Sequence, residues 1–265
     1  MLKVGYYQFR PVFGQVDKNV KKVVKALSAT TADLVVLPEL AFTGYYFRNR
    51  EEAISLAEDP DRSETVASLV SLCKEKDFYL VAGFAERKKD RVFNSALLLG
   101  PEGLIHTYRK LHLFFEEKKC FDPGDTPLTL RTIRGAKLGI MICFDWIFPE
   151  VTRSLAVQGA DIICHPANLV LNYCQQTMLA RCLENSVFAI TANRFGADRR
   201  PHGELKFTGR SQIVAPRGQL LHRAPSQRNE LFVAAVDLAL ARDKNITSLN
   251  DMMRDRRPEF YSALS

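Results

Sequence analysis

The chain has 265 residues, of which 46% are hydrophobic, 10% aromatic and 25% charged. These proportions are ordinary for a globular protein, so a disordered chain and a fibrous repeat are both excluded. The length fits one large domain or two small ones, and the net charge of +7 raises the question of an anionic partner.

The sequence shows neither the pattern of an N-terminal targeting signal nor that of a membrane-spanning helix. The first residues, MLKVGYYQFR, lack the basic segment and long apolar run of a secretory signal. No run of about 18 apolar residues occurs, so we expect a soluble, cytoplasmic protein without a membrane partner. The six cysteines show no CxxC spacing, which argues against a zinc site, and a chain of this size needs no disulfide framework.

Short apolar strands alternate with amphipathic helices along the chain. Strands are predicted over residues 4–9, 34–37, 78–84, 138–144, 162–164 and 187–192. Helices are predicted over residues 17–30, 63–76, 149–159 and 175–185. Ser63 is expected to cap the second helix, and Pro149 is expected at the start of the third. Several strands are too continuously apolar to have a solvated face, so the pattern indicates an α/β fold with covered sheets.

Two hairpins interrupt this alternation. Residues 100–103 and 215–218 each form a Pro-x-Gly turn between two apolar segments. A purely parallel, doubly wound sheet would not contain such hairpins. That architecture is therefore the less favoured alternative.

The same order of segments occurs twice. The first copy contains KVGYYQF, ADLVVLPEL and FYLVAGFAE, and the second contains KLGIMICF, ADIICHPANL and VFAITANRF at the corresponding places. A hairpin follows in each copy, and TPLTLRTI and LFVAAVDL close the two halves. We therefore predict an internal duplication of a β-α-β-α-β-β-β unit. Its two sheets would pack face to face as a four-layer α-β-β-α sandwich in a single domain, residues 1–265.

The C-terminal tail, residues 241–265, departs from the repeat. It is rich in charge and has no clear apolar stripe. We expect this tail to reach across to a partner subunit.

Three polar residues follow buried strands or the first hairpin. Glu39 comes after LVVLP, Lys110 after LIHTYR, and Cys143 at the end of LGIMIC. Ligands of open α/β sheets bind beyond the carboxyl ends of the strands, so these residues are candidates for one site. In the repeat, Glu39 corresponds to Ala167 and Cys143 to Phe9, so the two halves differ where a function would require it.

This trio suggests a covalent hydrolysis. A thiol must lose its proton before it can attack. Glu39, desolvated behind an apolar strand, could have a raised pKa and take that proton. Lys110 and the backbone N–H of Phe144 could stabilise an oxyanion, and the route would pass through a thioester on Cys143.

The segments that carry these residues resemble a known family. PEL, YRKLHLF and CFDWIFPE resemble, in order and spacing, the Glu-Lys-Cys signatures of the carbon-nitrogen hydrolase (nitrilase) superfamily. FFEEKKCFDPG, LENSVFAITANRFG and FTGRSQIVAPRG extend the resemblance over residues 4 to about 261. It implies a stand-alone amidase-like or nitrilase-like member with the α-β-β-α fold, a homodimer or larger homo-oligomer, and no cofactor.

The resemblance also implies roles for individual residues. Glu39 would be the general base, Lys110 the electrostatic stabiliser and Cys143 the nucleophile. Glu117 would occupy the position of the family's second glutamate and orient the site. Glu116 is adjacent, and the FxPG register that follows favours Glu117.

The substrate is predicted less closely. Family members that take substrates with a carboxylate often have an arginine near the position of Trp146, which here gives an aromatic wall. Candidate substrate-binding residues are Tyr45, Phe144, Trp146, Asn168 and Tyr173. We expect a small uncharged amide to be hydrolysed to a carboxylic acid and ammonia, unless an arginine elsewhere, such as Arg194, reaches the site. A true nitrilase and an N-carbamoyl amidohydrolase remain alternatives.

Other classes of function are weighed as well. A cysteine hydrolase could use His165 as its base, and a scaffold of the same fold could have lost catalysis. Cys164 and His165 resemble a metal pair only superficially, so no metal site is expected. The basic run Arg254, Arg256 and Arg257 lacks the interleaved aromatic residues of a platform for single-stranded nucleic acid, which argues against a nucleic-acid partner.

Overall fold

A computed structural model describes residues 1–261 of the chain. The strands are β1 (Leu2–Gln8), β2 (Leu34–Val36), β3 (Tyr79–Lys88), β4 (Arg91–Gly100), β5 (Gly103–Arg109), β6 (Arg131–Ile133), β7 (Ala136–Ile140), β8 (Ile162–Pro166), β9 (Phe188–Ala192), β10 (Phe195–Arg200), β11 (Gly203–Thr208), β12 (Gln212–Val214), β13 (Leu220–Arg223) and β14 (Glu230–Val236). The helices are α1 (Val16–Ser28), α2 (Arg50–Leu56), α3 (Glu64–Lys76), α4 (Glu117–Cys120), α5 (Pro149–Val157), α6 (Cys174–Asn185) and α7 (Ala239–Arg242). Single turns of 3₁₀ helix cover Cys143–Ile147, Pro216–Gly218 and Pro258–Phe260.

The two large sheets have the same internal order, as the predicted duplication requires. One sheet runs β14-β1-β2-β3-β4-β5 and the other β6-β7-β8-β9-β12-β13. In each sheet the three strands β1-β2-β3 or β7-β8-β9 are parallel, and the predicted hairpin continues the sheet with antiparallel pairing. The closing segments of the two halves exchange places: β14, from the second half, completes the first sheet, and β6, from the first half, completes the second.

Strand β2 shows how the layers are built. Its side chains alternate, so that Leu34 and Val36 lie in the core between the two sheets, while Val35 packs beneath α1 and α3. Helices α5 and α6 cover the second sheet, with Leu155 and Met178 in contact with its core. Both faces of each central strand are therefore buried, and the predicted four-layer α-β-β-α sandwich is confirmed.

Most predicted helix boundaries agree with the structure within two or three residues. The Ser63 hydroxyl accepts a hydrogen bond from the Val66 backbone N–H at 3.0 Å, and Pro149 occupies the first turn of α5. Helix α2 and the β10–β11 hairpin were not predicted. Both are short, and the residues of α2 lie within a charged stretch without a clear apolar stripe.

The predicted strand over residues 138–144 was wrong beyond Ile140. The chain turns there, because the Asp145 carboxylate accepts a hydrogen bond from the Ile142 N–H at 2.9 Å and the Asp145 N–H bonds back to the Ile142 carbonyl at 3.0 Å. Cys143 follows with a left-handed backbone, φ +39°. Cys143 is therefore held on a tight turn beyond the strand end instead of within a strand.

The described part of the tail carries α7, an isolated β-bridge between Asn245 and Asp251, and a final 3₁₀ turn. The side chains of Leu249 and Phe260 are exposed. Residues 262–265, which belong to the predicted intersubunit tail, lie outside the described residues. Within residues 1–261, no helix has the length and apolar character needed to cross a bilayer.

Candidate active site

The three strand-end residues meet in the folded chain. Glu39 follows β2, Lys110 follows β5 directly, and Cys143 follows β7; all three are buried. Parallel strands end at the same edge of a sheet, and the face-to-face packing of the two sheets brings those edges together. Residues more than 100 positions apart thus share one small volume.

The centre of the site is a buried lysine between two carboxylates. The Lys110 ammonium donates to Glu39 Oε1 at 2.6 Å and to the two oxygens of Glu117 at 2.7 and 2.8 Å. The Asn94 amide also donates to Glu39 Oε1, at 2.7 Å, and the Tyr45 hydroxyl donates to Glu117 Oε1 at 2.5 Å. These contacts fix both carboxylates and the ammonium in one geometry.

Glu116 and Glu117 are separated clearly by the structure. Glu117, at the start of α4, faces the lysine from the buried side. The carboxylate of Glu116 instead bonds to Lys119 at 3.0 Å, on the surface. Of the two adjacent glutamates, only Glu117 belongs to the buried cluster.

The cluster contains two carboxylates and a single cation, which determines its protonation. The pKa of Glu39 is raised to about 7. Burial is the largest cause of this rise; Lys110 opposes it, and the nearby Glu117 adds to it. Burial alone would lower the pKa of Lys110, but the two carboxylates raise it above its usual value, so the ammonium stays charged. Glu39 is therefore the member of the cluster that can exchange a proton near neutral pH.

The thiol of Cys143 lies next to this cluster. Burial raises the pKa of Cys143 well above its usual value; the Glu39 charge raises it further, while Lys110 lowers it. The thiol is consequently protonated at neutral pH, and its attack on a substrate requires a base. Glu39 is the neighbouring group whose pKa suits that task.

His165 does not contact this thiol. Its Nε2 lies 3.0 Å from the Cys143 carbonyl oxygen, which can only accept, so Nε2 carries the proton. Its Nδ1 lies 3.1 Å from the Thr191 hydroxyl, and burial lowers the pKa of His165 to about 4. Nε2 is thus occupied with the backbone of the Cys143 turn, and Nδ1 with the Thr191 side chain on β9.

A narrow pocket opens onto Cys143. It is lined by Phe114, Cys143, Phe144, Trp146, Asn168, Leu169, Val170 and Leu171. The walls are aromatic and aliphatic, and no lining side chain is charged. Such a pocket suits a small apolar group.

The structure places the three remaining predicted substrate-binding residues differently with respect to this pocket. Asn168 lines it and donates through Nδ2 to the Glu39 carbonyl oxygen at 2.8 Å. Tyr45 contacts Glu117 instead of the pocket. Tyr173 is half exposed, and its ring packs edge-on against Trp146 with centroids 5.6 Å apart. It supports the pocket wall from behind.

Arg194 is already neutralised. Its guanidinium makes two hydrogen bonds of 2.8 Å to the carboxylate of Asp198, and it lies 4.1 Å from the centroid of the Phe207 ring. All three residues are buried. This arginine is therefore unavailable to bind a substrate carboxylate.

The sequence interpretation missed several residues that shape the site. Asn94 is the clearest, because a polar residue within the apolar strand VFNSALLLG indicates a buried partner. Gly83 is another: a Cβ there would lie 2.4 Å from the Cα of Glu39 and from the Pro38 carbonyl oxygen. Only a glycine allows β3 to approach the Glu39 backbone this closely. Phe114, the last residue of the YRKLHLF segment, was missed as well.

Comparison with known proteins agrees with this geometry. The family model described as "Carbon-nitrogen hydrolase" matches residues 3–245. A nitrilase of Pyrococcus abyssi is 45% identical over 98% of this chain and 99% of its own, and an (R)-stereoselective amidase of Pseudomonas sp. is 33% identical over 97% and 92%. The crystal structure of a carbon-nitrogen hydrolase from Helicobacter pylori is 26% identical, with a TM-score of 0.90 over 99% of this chain and 98% of that one.

Proposed function

Because the chain belongs to the carbon-nitrogen hydrolase family, we propose that it hydrolyses a small, uncharged primary amide to a carboxylic acid and ammonia. The reaction passes through a thioester on Cys143. Water is the second substrate.

One observation carries this proposal: the buried thiol of Cys143 adjoins a lysine clamped between two carboxylates. Among residues 1–261, Glu39 Oε2 accepts no hydrogen bond although it is buried. A buried acceptor without a partner is costly, so it is expected to receive a proton or a donor from the substrate. The thiol of Cys143 and a substrate amide both supply such a donor.

In the first half of the reaction, Glu39 takes the thiol proton as sulfur attacks the carbonyl carbon. The C–S bond forms, and the carbonyl electrons move to oxygen. The Lys110 ammonium and the Phe144 N–H stabilise that oxyanion. Glu39 then passes its proton to the nitrogen, the C–N bond breaks, and ammonia leaves a thioester on Cys143.

In the second half, Glu39 removes a proton from water, which attacks the thioester carbonyl. The C–S bond breaks, Glu39 returns the proton to the sulfur, and the carboxylic acid leaves. Glu117 transfers no proton in this scheme. Its two oxygens accept from the Lys110 ammonium and hold it at the oxyanion position, and the Tyr45 hydroxyl in turn donates to Glu117.

Two buried acceptors favour an amide over a nitrile. Asn168 Oδ1, like Glu39 Oε2, accepts no hydrogen bond within residues 1–261. A primary amide has two N–H donors to satisfy such acceptors, whereas a nitrile has none. The uncharged pocket walls and the pairing of Arg194 with Asp198 support an acyl group without a carboxylate.

A screen of ammonia release tests the proposal. We expect short aliphatic or aromatic primary amides to be hydrolysed at least about tenfold faster than the matching nitriles, because the nitriles leave buried acceptors unpaired. N-carbamoyl compounds serve as the third set. Mass spectrometry of the quenched enzyme should find the acyl group on Cys143. Ammonia release confined to nitriles or to N-carbamoyl compounds would contradict the proposed substrate class.

A nitrile is the second candidate substrate, and the similarity to the Pyrococcus abyssi nitrilase favours it. The same Cys143 attack on a nitrile carbon would give a thioimidate, which water converts to the thioester with release of ammonia. In the screen, this candidate is distinguished by turnover of nitriles without accumulation of the free amide.

We also propose that the chain forms a homodimer through the outer face of α5 and α6. Val157 on α5 and Leu183 on α6 are exposed apolar residues on the outermost layer of the second sheet. Sedimentation should give twice the mass of one chain, and Leu183→Glu should shift the protein toward monomer. Val12→Glu, a change at an exposed apolar residue of the first half, is the matched control. A monomeric wild-type protein at micromolar concentration would contradict the dimer.

A further inference from the structure

A buried carboxylate outside the catalytic cluster holds two parts of the site together. Asp145 has no exposed side-chain surface. Its Oδ2 accepts from the Tyr108 hydroxyl at 2.7 Å and from the Ile142 N–H at 2.9 Å. Its Oδ1 accepts from the His112 N–H at 3.1 Å and lies 2.8 Å from His112 Nδ1. A buried carboxylate needs such partners, and here they come from separate segments.

The positions of these donors relative to the catalytic residues are informative. Tyr108 and His112 stand two residues before and two residues after Lys110. Ile142 directly precedes Cys143, and Asp145 follows it by two positions. The carboxylate therefore joins residues on both sides of Lys110, through the Tyr108 hydroxyl and the His112 backbone and ring, to the turn that carries Cys143.

Further contacts keep His112 and Tyr108 oriented as hydrogen-bond donors to Asp145. The His112 ring stacks on Phe148, with centroids 3.7 Å apart, and this stacking orients Nδ1 toward the carboxylate. Burial and the nearby Asp145 raise the pKa of Tyr108 well above its usual value, so its hydroxyl remains a donor. Because these donors come from both segments, a shift of one segment relative to the other would break at least one hydrogen bond to Asp145.

We propose that Asp145 is a positioning residue that sets the placement of the Cys143 thiol relative to the Lys110 ammonium. This inference rests on the proposed function, because it concerns the same reaction. Asp145 touches neither the substrate pocket nor the catalytic cluster: its effect passes through Tyr108, His112 and the backbone of the Cys143 turn.

Asp145→Asn tests this role with little change of shape. The carboxamide has one oxygen and one NH₂ group, so it cannot accept from donors on both sides. The two segments are then free to separate. A displacement of about 1 Å can lower a rate about 100-fold, so we expect kcat to fall by about that factor while KM changes less than about threefold.

Alkylation of Cys143 by iodoacetamide is measured in parallel, because it requires no substrate. Peptide mass spectrometry assigns the label to Cys143, and we expect alkylation in Asp145→Asn to slow about tenfold as the thiol leaves its base. This readout separates the two proposals. A wild-type protein that releases ammonia from no tested compound would overturn the proposed function alone, whereas alkylation still decides the positioning role.

Asp161→Asn is the matched control. Asp161 is also a buried aspartate whose carboxylate accepts from a backbone N–H, that of Lys137, at 2.9 Å, and it pairs with Arg242. It lies at the opposite, amino-terminal end of the second sheet. We expect this variant to lose thermal stability while its kcat and its Cys143 alkylation rate stay near the wild-type values.

If Asp145→Asn does not fold, two variants that each remove one hydrogen bond to Asp145 test the proposal instead. Tyr108→Phe and His112→Leu each remove one donor, and each should lower kcat about tenfold. His112→Asn retains an N–H near the position of Nδ1 and should restore most of the rate. A folded Asp145→Asn variant with the wild-type kcat and the wild-type Cys143 alkylation rate would overturn the positioning role. Wild-type values in both Tyr108→Phe and His112→Leu would do the same.

Discussion

Replacement of Cys143 with alanine is expected to lower kcat for ammonia release by at least about 10,000-fold, because the proposed thioester forms on the sulfur atom that this change removes. The thiol is buried beside Glu39 and Lys110. Loss of one sulfur atom should leave the fold intact. The measurement is steady-state ammonia release at a saturating amide, together with the absence of an acyl adduct in the mass spectrum.

Cys164→Ala provides the control for this variant. Cys164 is a fully buried thiol on β8 and belongs to the hydrophobic core. Its removal should reduce stability slightly and leave turnover close to the wild-type value. If Cys143→Ala kept its turnover, the covalent route would be wrong.

Replacement of Glu39 with glutamine is expected to lower kcat about 100- to 10,000-fold, which is the range for loss of a general base. Glutamine keeps the shape and can still accept from Lys110 and Asn94, so the cluster should persist. It cannot take the thiol proton or deprotonate water. The acyl adduct on Cys143 should therefore form slowly and also decay slowly, which single-turnover measurements can resolve.

The pH dependence of kcat/KM tests the same role of Glu39. Glu39 acts as a base only when ionised, and its pKa is raised to about 7. We expect kcat/KM of the wild-type enzyme to fall as the pH decreases through about 7, and to fall about tenfold for each further unit. In Glu39→Gln this acidic limb should be absent. Glu116→Gln, at the partly exposed carboxylate next to Glu117, should keep both the rate and the limb. A Glu39→Gln variant with the wild-type limb would assign that titration to another group.

Much of the fold follows from local patterns in the sequence. The alternation of Leu34, Val35 and Val36 between two covered faces is visible as a continuous apolar run, and the two Pro-x-Gly hairpins are visible as turns. The ordered matches between the halves then indicate two similar sheets. Helix α2 and the β10–β11 hairpin lack such patterns, because their positions depend on contacts with distant segments. One such contact is the pairing of Arg200 on β10 with Glu52 on α2.

The candidate site was predictable only in part. Glu39, Lys110 and Cys143 could be named because each follows a strand or hairpin and matches a family signature. The fold brings them together as the sequence analysis expected. Asn94 and Asp145 could not be assigned a role in this way, since a buried polar residue has meaning only once its partner is known.

The sequence by itself determined the family, the duplication and the identity of the candidate reactive groups, because these depend on residue types and their order along the chain. The tertiary structure decided how those groups are poised. It enclosed one lysine with two carboxylates away from water, which raises the pKa of Glu39 to about 7 and keeps Lys110 charged. It also turned the chain after Ile140 so that Cys143 lies beside them. Both effects arise from burial and from contacts between segments far apart in the chain, which no local pattern records.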